Sequence, residues 1–213
     1  MSELIIDFRE EMESSILWRK KEYYDLRNVI KDDNKIAVIK VLIVMLYAYL
    51  EGFFKDCMDC YIKFLNSTSR EVKEYNDSLI TATLAKQFSS FEDMNHKCKE
   101  LISTPPTEDF LHKFHRRKDL TKLFNSDYLN KMLRIKDTII NTKANLKFSV
   151  WQENFYILGL DQNYFDKYQH SIDKLVNLRN SVAHGSQRKP IDYDEYILLE
   201  KEIFEIMDEL IKY

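Results

Sequence analysis

Three glycines and three prolines are all that 213 residues contain, against roughly twelve percent of the two together in average usage. A chain so short of turn formers cannot make the many tight reversals that sheets need. Abundant Leu, Ile, Lys and Glu fill the long stretches between breaks. The expectation is an all-α fold, a helical bundle with one variable helical insertion in mid-chain.

Apolar spacing places the helices. Leu4, Phe8, Met12, Ile16, Tyr23, Leu26 and Ile30 recur at helical intervals over residues 3–30, where i, i+4 and i+7 positions share a face. Asp32-Asp33-Asn34 is a polar turn. Residues 35–65 are apolar around much of their circumference, which marks a central buried helix. The most apolar run, Ile36 to Leu50, contains Lys40 and is too short to span a bilayer. Residues 66–145 read as an insertion, with short helices at 70–88 and 119–140 separated by the break Thr104-Pro105-Pro106-Thr107. Helices resume at 148–158, ending at Gly159, then at about 164–184 and 192–212. Asp192 and Glu195 form a capping-box-like start to the last one. The whole chain, 1–213, is expected to be a single domain of this kind.

The formal net charge is −3, which excludes a strongly basic nucleic-acid coat protein. The charge is uneven, however. Residues 96–147 hold twelve Lys/Arg and six acids, a balance of +6, whereas residues 190–213 hold eight acids and two lysines, a balance of −6. Lys113, Arg116, Arg117 and Lys118, interleaved with Phe110, His112 and Phe114, form the densest basic-aromatic cluster. Such a cluster can hold phosphates and stack bases, or can simply be a solvated helix face. Three cysteines and no secretory leader predict a reducing, cytoplasmic location. Cys57 and Cys60 have C-x-x-C spacing, but a zinc site needs a second fixed ligand pair, and His96, Cys98, His112 and His115 are not tied to them by spacing. No metal or cofactor is expected. Phosphate-loop, dinucleotide, zincin and serine-hydrolase motifs are absent from the sequence.

Two places carry candidate chemistry. Arg179-Asn180-Ser181-Val182-Ala183-His184-Gly185 ends the 164–184 helix with a permanent cation, a carboxamide and an imidazole. Asn180 and His184 are i,i+4 and share a face; Arg179 is long enough to swing toward it. Gly185 can supply the left-handed residue that stops the helix. Nine arginines and five histidines yield roughly 0.2 R-x4-H pairs by chance, so on spacing alone a plain helix end is the simpler reading. The other place is Glu51-Gly52-Phe53-Phe54-Lys55, where an acid, a glycine and a lysine interrupt the most buried helix. A carboxylate there calls for a partner, such as an arginine from a facing helix. The glycine implies a close approach by another group.

Leu178 to Gly185 resembles the R-x4–6-H signature of the HEPN superfamily (higher eukaryotes and prokaryotes nucleotide-binding domain), which often has Asn after the arginine. Leu46-Tyr47-Ala48-Tyr49-Leu50-Glu51-Gly52-Phe53-Phe54-Lys55 is similar to the second-helix pattern of a standalone bacterial branch of about 200 residues, as are Asn145-Leu146 and Ile157-Leu158-Gly159-Leu160-Asp161. The resemblance is weakest over 66–140. It implies a metal-independent endoribonuclease, often a toxin or antiphage effector, that dimerises with its R-x4-H helices at the two-fold axis and is restrained by an antitoxin or regulatory protein. It makes Arg179 and His184 the catalytic pair, Asn180 their polar adjunct and Glu51 a supporting residue. Lys55, Arg116, Arg117 and Lys118 are then candidate RNA contacts. A catalytically inactive HEPN-like partner of a toxin or nucleotidyltransferase is the alternative, as is a purely structural bundle.

Overall fold

In a computed structural model the described residues are 2–29, 35–99, 109–186 and 191–213. The expected turn at 32–34 and the break at 104–107 lie outside them. Among the described residues eight α-helices follow one another: α1 Ser2–Val29, α2 Lys35–Ser67, α3 Asp77–Thr83, α4 Ala85–Glu92, α5 Asp109–Phe124, α6 Phe148–Ile157, α7 Gln169–Ala183 and α8 Tyr193–Lys212. Short 3-10 turns link several of them. Among the described residues the only extended pairing is one antiparallel bridge, Glu71 with Met132, so the fold is all-α.

The chain forms two compact units, residues 1–64, 140–156 and 160–213 in the first and residues 65–139 and 157–159 in the second. In the first unit α2 supplies the core. Ile39, Ile43, Leu46, Leu50, Phe53 and Phe54 are all buried, and each such side chain contributes about 1.5–3 kcal/mol on leaving water. Phe54 packs on Trp151 of α6 with ring centroids 4.3 Å apart, and Trp151 and Phe155 carry the aromatic cluster on to Phe165. The apolar stretch of α2 is longer than the Ile36–Leu50 run suggested. From Ala37 to Ser67 it is long and apolar enough to cross a membrane by length and composition alone, yet half of its most apolar window is buried within the protein.

Helix α1 carries a mixed stripe. Met12, Ile16, Arg19 and Tyr23 are all buried, an arginine standing where the period calls for an apolar residue. Its guanidinium donates to Asp56 at 2.7 Å and to the Ser15 carbonyl at 3.1 Å, and a Cβ on Gly52 would lie 3.4 Å from its tip. The facing arginine expected beside Glu51-Gly52 therefore exists, but it pairs with Asp56 one turn along. The seam between α1 and α8 is polar as well. Tyr23 hydrogen-bonds Tyr196, Tyr196 donates to Glu200, and Arg27 pairs with Glu200 at 2.7 Å. Lys20 reaches Asp208 at 2.7 Å. A buried chain of partnered groups sets the register of the two helices more narrowly than apolar packing would. At the start of α8 the Asp192 side chain accepts from Glu195 N–H at 3.0 Å, the cap expected from sequence.

In the second unit the helix expected over 119–140 is displaced. α5 stops at Phe124, where Ser126 turns its hydroxyl back onto the Leu123 carbonyl at 2.6 Å. Beyond it the chain runs alongside residues 70–72, through Val72 N–H to Lys131 O at 2.9 Å and Leu133 N–H to Arg70 O at 3.2 Å. Asn66 brackets Ile135, donating to its carbonyl and accepting from its N–H, both at 2.8 Å. Tertiary partners for the backbone override helix propensity there. The N-cap of α3 is Asn76, accepting from Leu79 N–H at 3.0 Å while donating to Gly159 O at 3.2 Å. Gly159 has φ +67°, and a Cβ built on it would fall 2.3 Å from the Asn76 amide. Gly159→Ala should lower stability by about 2 kcal/mol, joining left-handed strain to loss of the cap. Urea unfolding of the variant, at unchanged m, measures it.

Candidate active site

The end of α7 is built as a Schellman stop. His184 is the C-cap residue, its N–H bonded to Asn180 O at 2.9 Å; Gly185 N–H bonds Val182 O at 3.1 Å and Ser186 N–H bonds Ser181 O at 2.9 Å. Gly185 takes φ +67° as that motif requires. The consequence is that His184 stands past the last regular turn with its side chain exposed.

Five residues back, Arg179 is held rather than solvated. Its guanidinium carbon lies 3.9 Å from the centroid of the Tyr47 ring, a cation–π contact. Its Nη2 donates to the Ala144 carbonyl at 2.9 Å. The Nε–H is buried and has no acceptor among the described residues. Asn180 is directed the same way as Arg179, its amide donating to Asn145 Oδ1 at 3.2 Å.

The segment 143–148 makes this possible. Lys143 and Ala144 both have positive φ, 54° and 52°, a conformation costing a non-glycine residue roughly 1–2 kcal/mol. The double left-handed turn is stapled on both sides. Leu146 N–H donates to Tyr47 Oη at 2.9 Å, and Phe148 N–H, at the start of α6, donates to Asp173 of α7 at 2.9 Å. Leu146 itself is fully buried. Tyr47 thus works through both ends, its ring under the guanidinium and its oxygen on the loop. Burial pushes its phenol pKa up, opposed by the Leu146 N–H and the Arg179 charge and reinforced by the Glu51 carboxylate.

Of the residues nominated from sequence, Arg179 and Asn180 are brought together on the 144–145 turn, and His184 follows at the exposed helix end. Glu51 lies one turn beyond Tyr47 on α2, half-exposed, and bonds neither Arg179 nor His184 among the described residues. Nor does it pair with Lys55, which is exposed. In the second unit Arg116 is buried, 5 % exposed, with Nη2 3.6 Å from the Met94 sulfur. A buried guanidinium is not an open RNA contact, which corrects that expectation. Its neighbours Arg117 and Lys118 are exposed. Cys57 and Cys60 are buried against Met12 and Glu11 of α1, and burial raises both thiols, that of Cys60 to about 12, which makes them inert packing residues. Tyr47, Ala144 and Asn145 are the site residues that sequence reasoning did not nominate. A tyrosine hydroxyl within so apolar a helix needs a partner, and that was the available signal for Tyr47.

Two substitutions separate the parts. Tyr47→Phe keeps the ring but leaves the buried Leu146 N–H without an acceptor, so stability should fall by about 1–3 kcal/mol; Tyr47→Leu should also release Arg179. Thermal unfolding, with nitrogen-15 NMR of the arginine side chains, reads both. A Cβ on Gly185 would meet nothing within 4 Å, so Gly185→Ala should cost only the backbone strain, about 1 kcal/mol, measurable in the same melts.

No curated protein and no solved structure matches the chain. The RiboL-PSP-HEPN family matches residues 14–213, which is nearly the whole sequence. HEPN domains are generally associated with ribonuclease action. With its all-α bundle and an R-x4-H helix end, the chain belongs to the RiboL-PSP-HEPN family.

Proposed function

We propose that this protein is a metal-independent endoribonuclease that cuts RNA by transesterification at the 2′-OH. The observation that carries the reading is the state of Arg179, a half-buried guanidinium fixed by Tyr47 and Ala144 with an N–H still unpartnered. A fixed, partly exposed cation suits a phosphorane whose charge develops during reaction. RNA carries its own nucleophile, so the protein must supply a base for the 2′ proton, an acid for the 5′-oxygen and positive charge.

One chain presents one exposed histidine five residues after Arg179. Two copies related by a two-fold axis would present two, one as base and one as acid, and an isologous interface places identical helix ends together. Arg179 and His184 are accordingly the catalytic pair. Asn180 holds the turn that seats Arg179. Glu51 supports the site through the electrostatics around Tyr47 and Arg179. For RNA contact, Lys55, Arg117 and Lys118 remain candidates. On α5, Phe110 and Phe114 are 73 % and 55 % exposed and stack with centroids 6.5 Å apart, flanked by exposed Lys113 and Arg117. That is the pattern of a base-stacking face with phosphate contacts. The reading extends to a toxin or antiphage effector in the cytoplasm, restrained by an antitoxin or regulatory protein.

His184→Ala should reduce cleavage of unstructured RNA by at least about 10²-fold with an unchanged melting curve, since the side chain is exposed. Parent products should end in 2′,3′-cyclic phosphate and 5′-OH, with no divalent ion needed in the assay buffer and the specific activity falling on dilution as dimers dissociate. Parent-like cutting by His184→Ala, or products ending in 3′-OH, would sink the proposal. A folded parent that binds RNA without cutting it would favour the inactive-partner reading.

A further inference from the structure

The second unit contains a cluster that the ribonuclease reading does not use. His96 follows α4, and His115 and Asp119 sit one turn apart on α5. His96 Nε2 lies 3.4 Å from Asp119 Oδ2, and His115 Nε2 lies 3.5 Å from the same oxygen. All three potential ligand atoms fall within 4.8 Å of one another. The two imidazoles face each other, 5.5 Å between centroids and 28° from parallel.

These separations are informative. They exceed the 2.7–3.2 Å of a normal N–H···O bond. The two imidazole–carboxylate edges match that of a tetrahedron whose centre lies about 2.0–2.1 Å from each ligand, roughly 3.3–3.5 Å, the geometry of zinc with nitrogen and oxygen donors. The surroundings prepare the donors too. Ser90 Oγ lies 3.1 Å from His96 Nδ1. A hydroxyl accepting from Nδ1–H leaves the Nε2 lone pair free to ligate, the usual outer support of a metal-bound histidine. Asp119 Oδ1 is taken by Lys122 Nζ at 3.0 Å, leaving Oδ2 alone toward the imidazoles. Beside His96 and Asp119 lies a cavity of about 100 Å³, bordered also by Ser90 and Arg116, with room for a water or anion as the fourth ligand.

We propose that His96 Nε2, His115 Nε2 and Asp119 Oδ2 bind one zinc ion. Two imidazoles and one carboxylate suit a borderline transition metal and not magnesium or calcium, which take all-oxygen shells. The ligands span residues 96–119, so the ion would tie the chain after α4 to α5. All three belong to the second unit, whereas Arg179 and His184 belong to the first. The zinc site rests on the second unit alone, and the ion is given no part in the cleavage reading.

The test is cobalt(II) titration of the metal-stripped full chain, followed by visible absorption. One equivalent per chain should produce the intense d–d bands of a four-coordinate site, displaced by zinc and untouched by magnesium. His115→Asn and Asp119→Asn should abolish the bands. Ser90→Ala, which keeps every ligand, should weaken zinc binding about tenfold. His170→Asn, an exposed histidine on α7, should change nothing. Absence of saturable uptake by the parent overturns the proposal, as does uptake that survives both ligand substitutions. So does thiolate-to-cobalt charge transfer, which would assign the ion to cysteine. Each readout is independent of RNA cleavage, so failure of the ribonuclease reading and failure of the zinc site are told apart.

Discussion

An arginine near a helix end would ordinarily extend into water, where its rotamer entropy is greatest. Arg179 does not, because the Tyr47 ring lies beneath it and the Ala144 carbonyl caps it. That single placement links α2, the 143–148 turn and α7. The tyrosine is fixed by the core around α2, the carbonyl by a turn in an unfavourable conformation, and the turn by hydrogen bonds to both helices. Remove any one and the guanidinium regains its freedom while the rest of the bundle stands.

The same reasoning explains why charged and polar groups recur inside this fold. Arg19 with Asp56, and Tyr23 with Tyr196 and Glu200, occupy positions that apolar residues could fill. Buried polar groups must find partners to offset desolvation, and each pair does so in only one register. A bundle built almost without glycine and proline has few turns to dictate how its helices align. Polar pairs between helices supply that alignment instead.

Much of this was legible beforehand. The scarcity of Gly and Pro with 3.6-residue apolar periodicity points to helices, and α1, α2, α7 and α8 emerge close to the expected limits because long periodic segments carry a strong local signal. The Schellman end at Gly185 and the Asp192 cap could be read from residue type, since both depend on local geometry. What could not be read depended on contacts distant in sequence. The 131–135 segment gave up helix for partners at 66–72, and Arg116 turned inward on an apparently solvated basic helix. The left-handed conformation at Lys143 and Ala144 has no residue signature, since neither is glycine. Tyr47 sits 99 residues from its partner Leu146, and no periodicity spans such a distance. The His96, His115 and Asp119 cluster was hidden for a related reason, since a lone histidine meets an i,i+4 pair only in the folded unit.

The turn at 143–148 also bears on the order in which the molecule acquires its site. Its strain is offset only when hydrogen bonds form on two sides, one to a residue far earlier in the chain and the others to a helix completed 35 residues later. Helix α7 can wind by itself within microseconds, as local structures do. An α7 that has formed before α2 docks, however, carries an Arg179 with no ring beneath it and no carbonyl in place. The arginine becomes a defined electrostatic element only at the final long-range docking, so a partly folded chain contains every residue of the site but not its geometry.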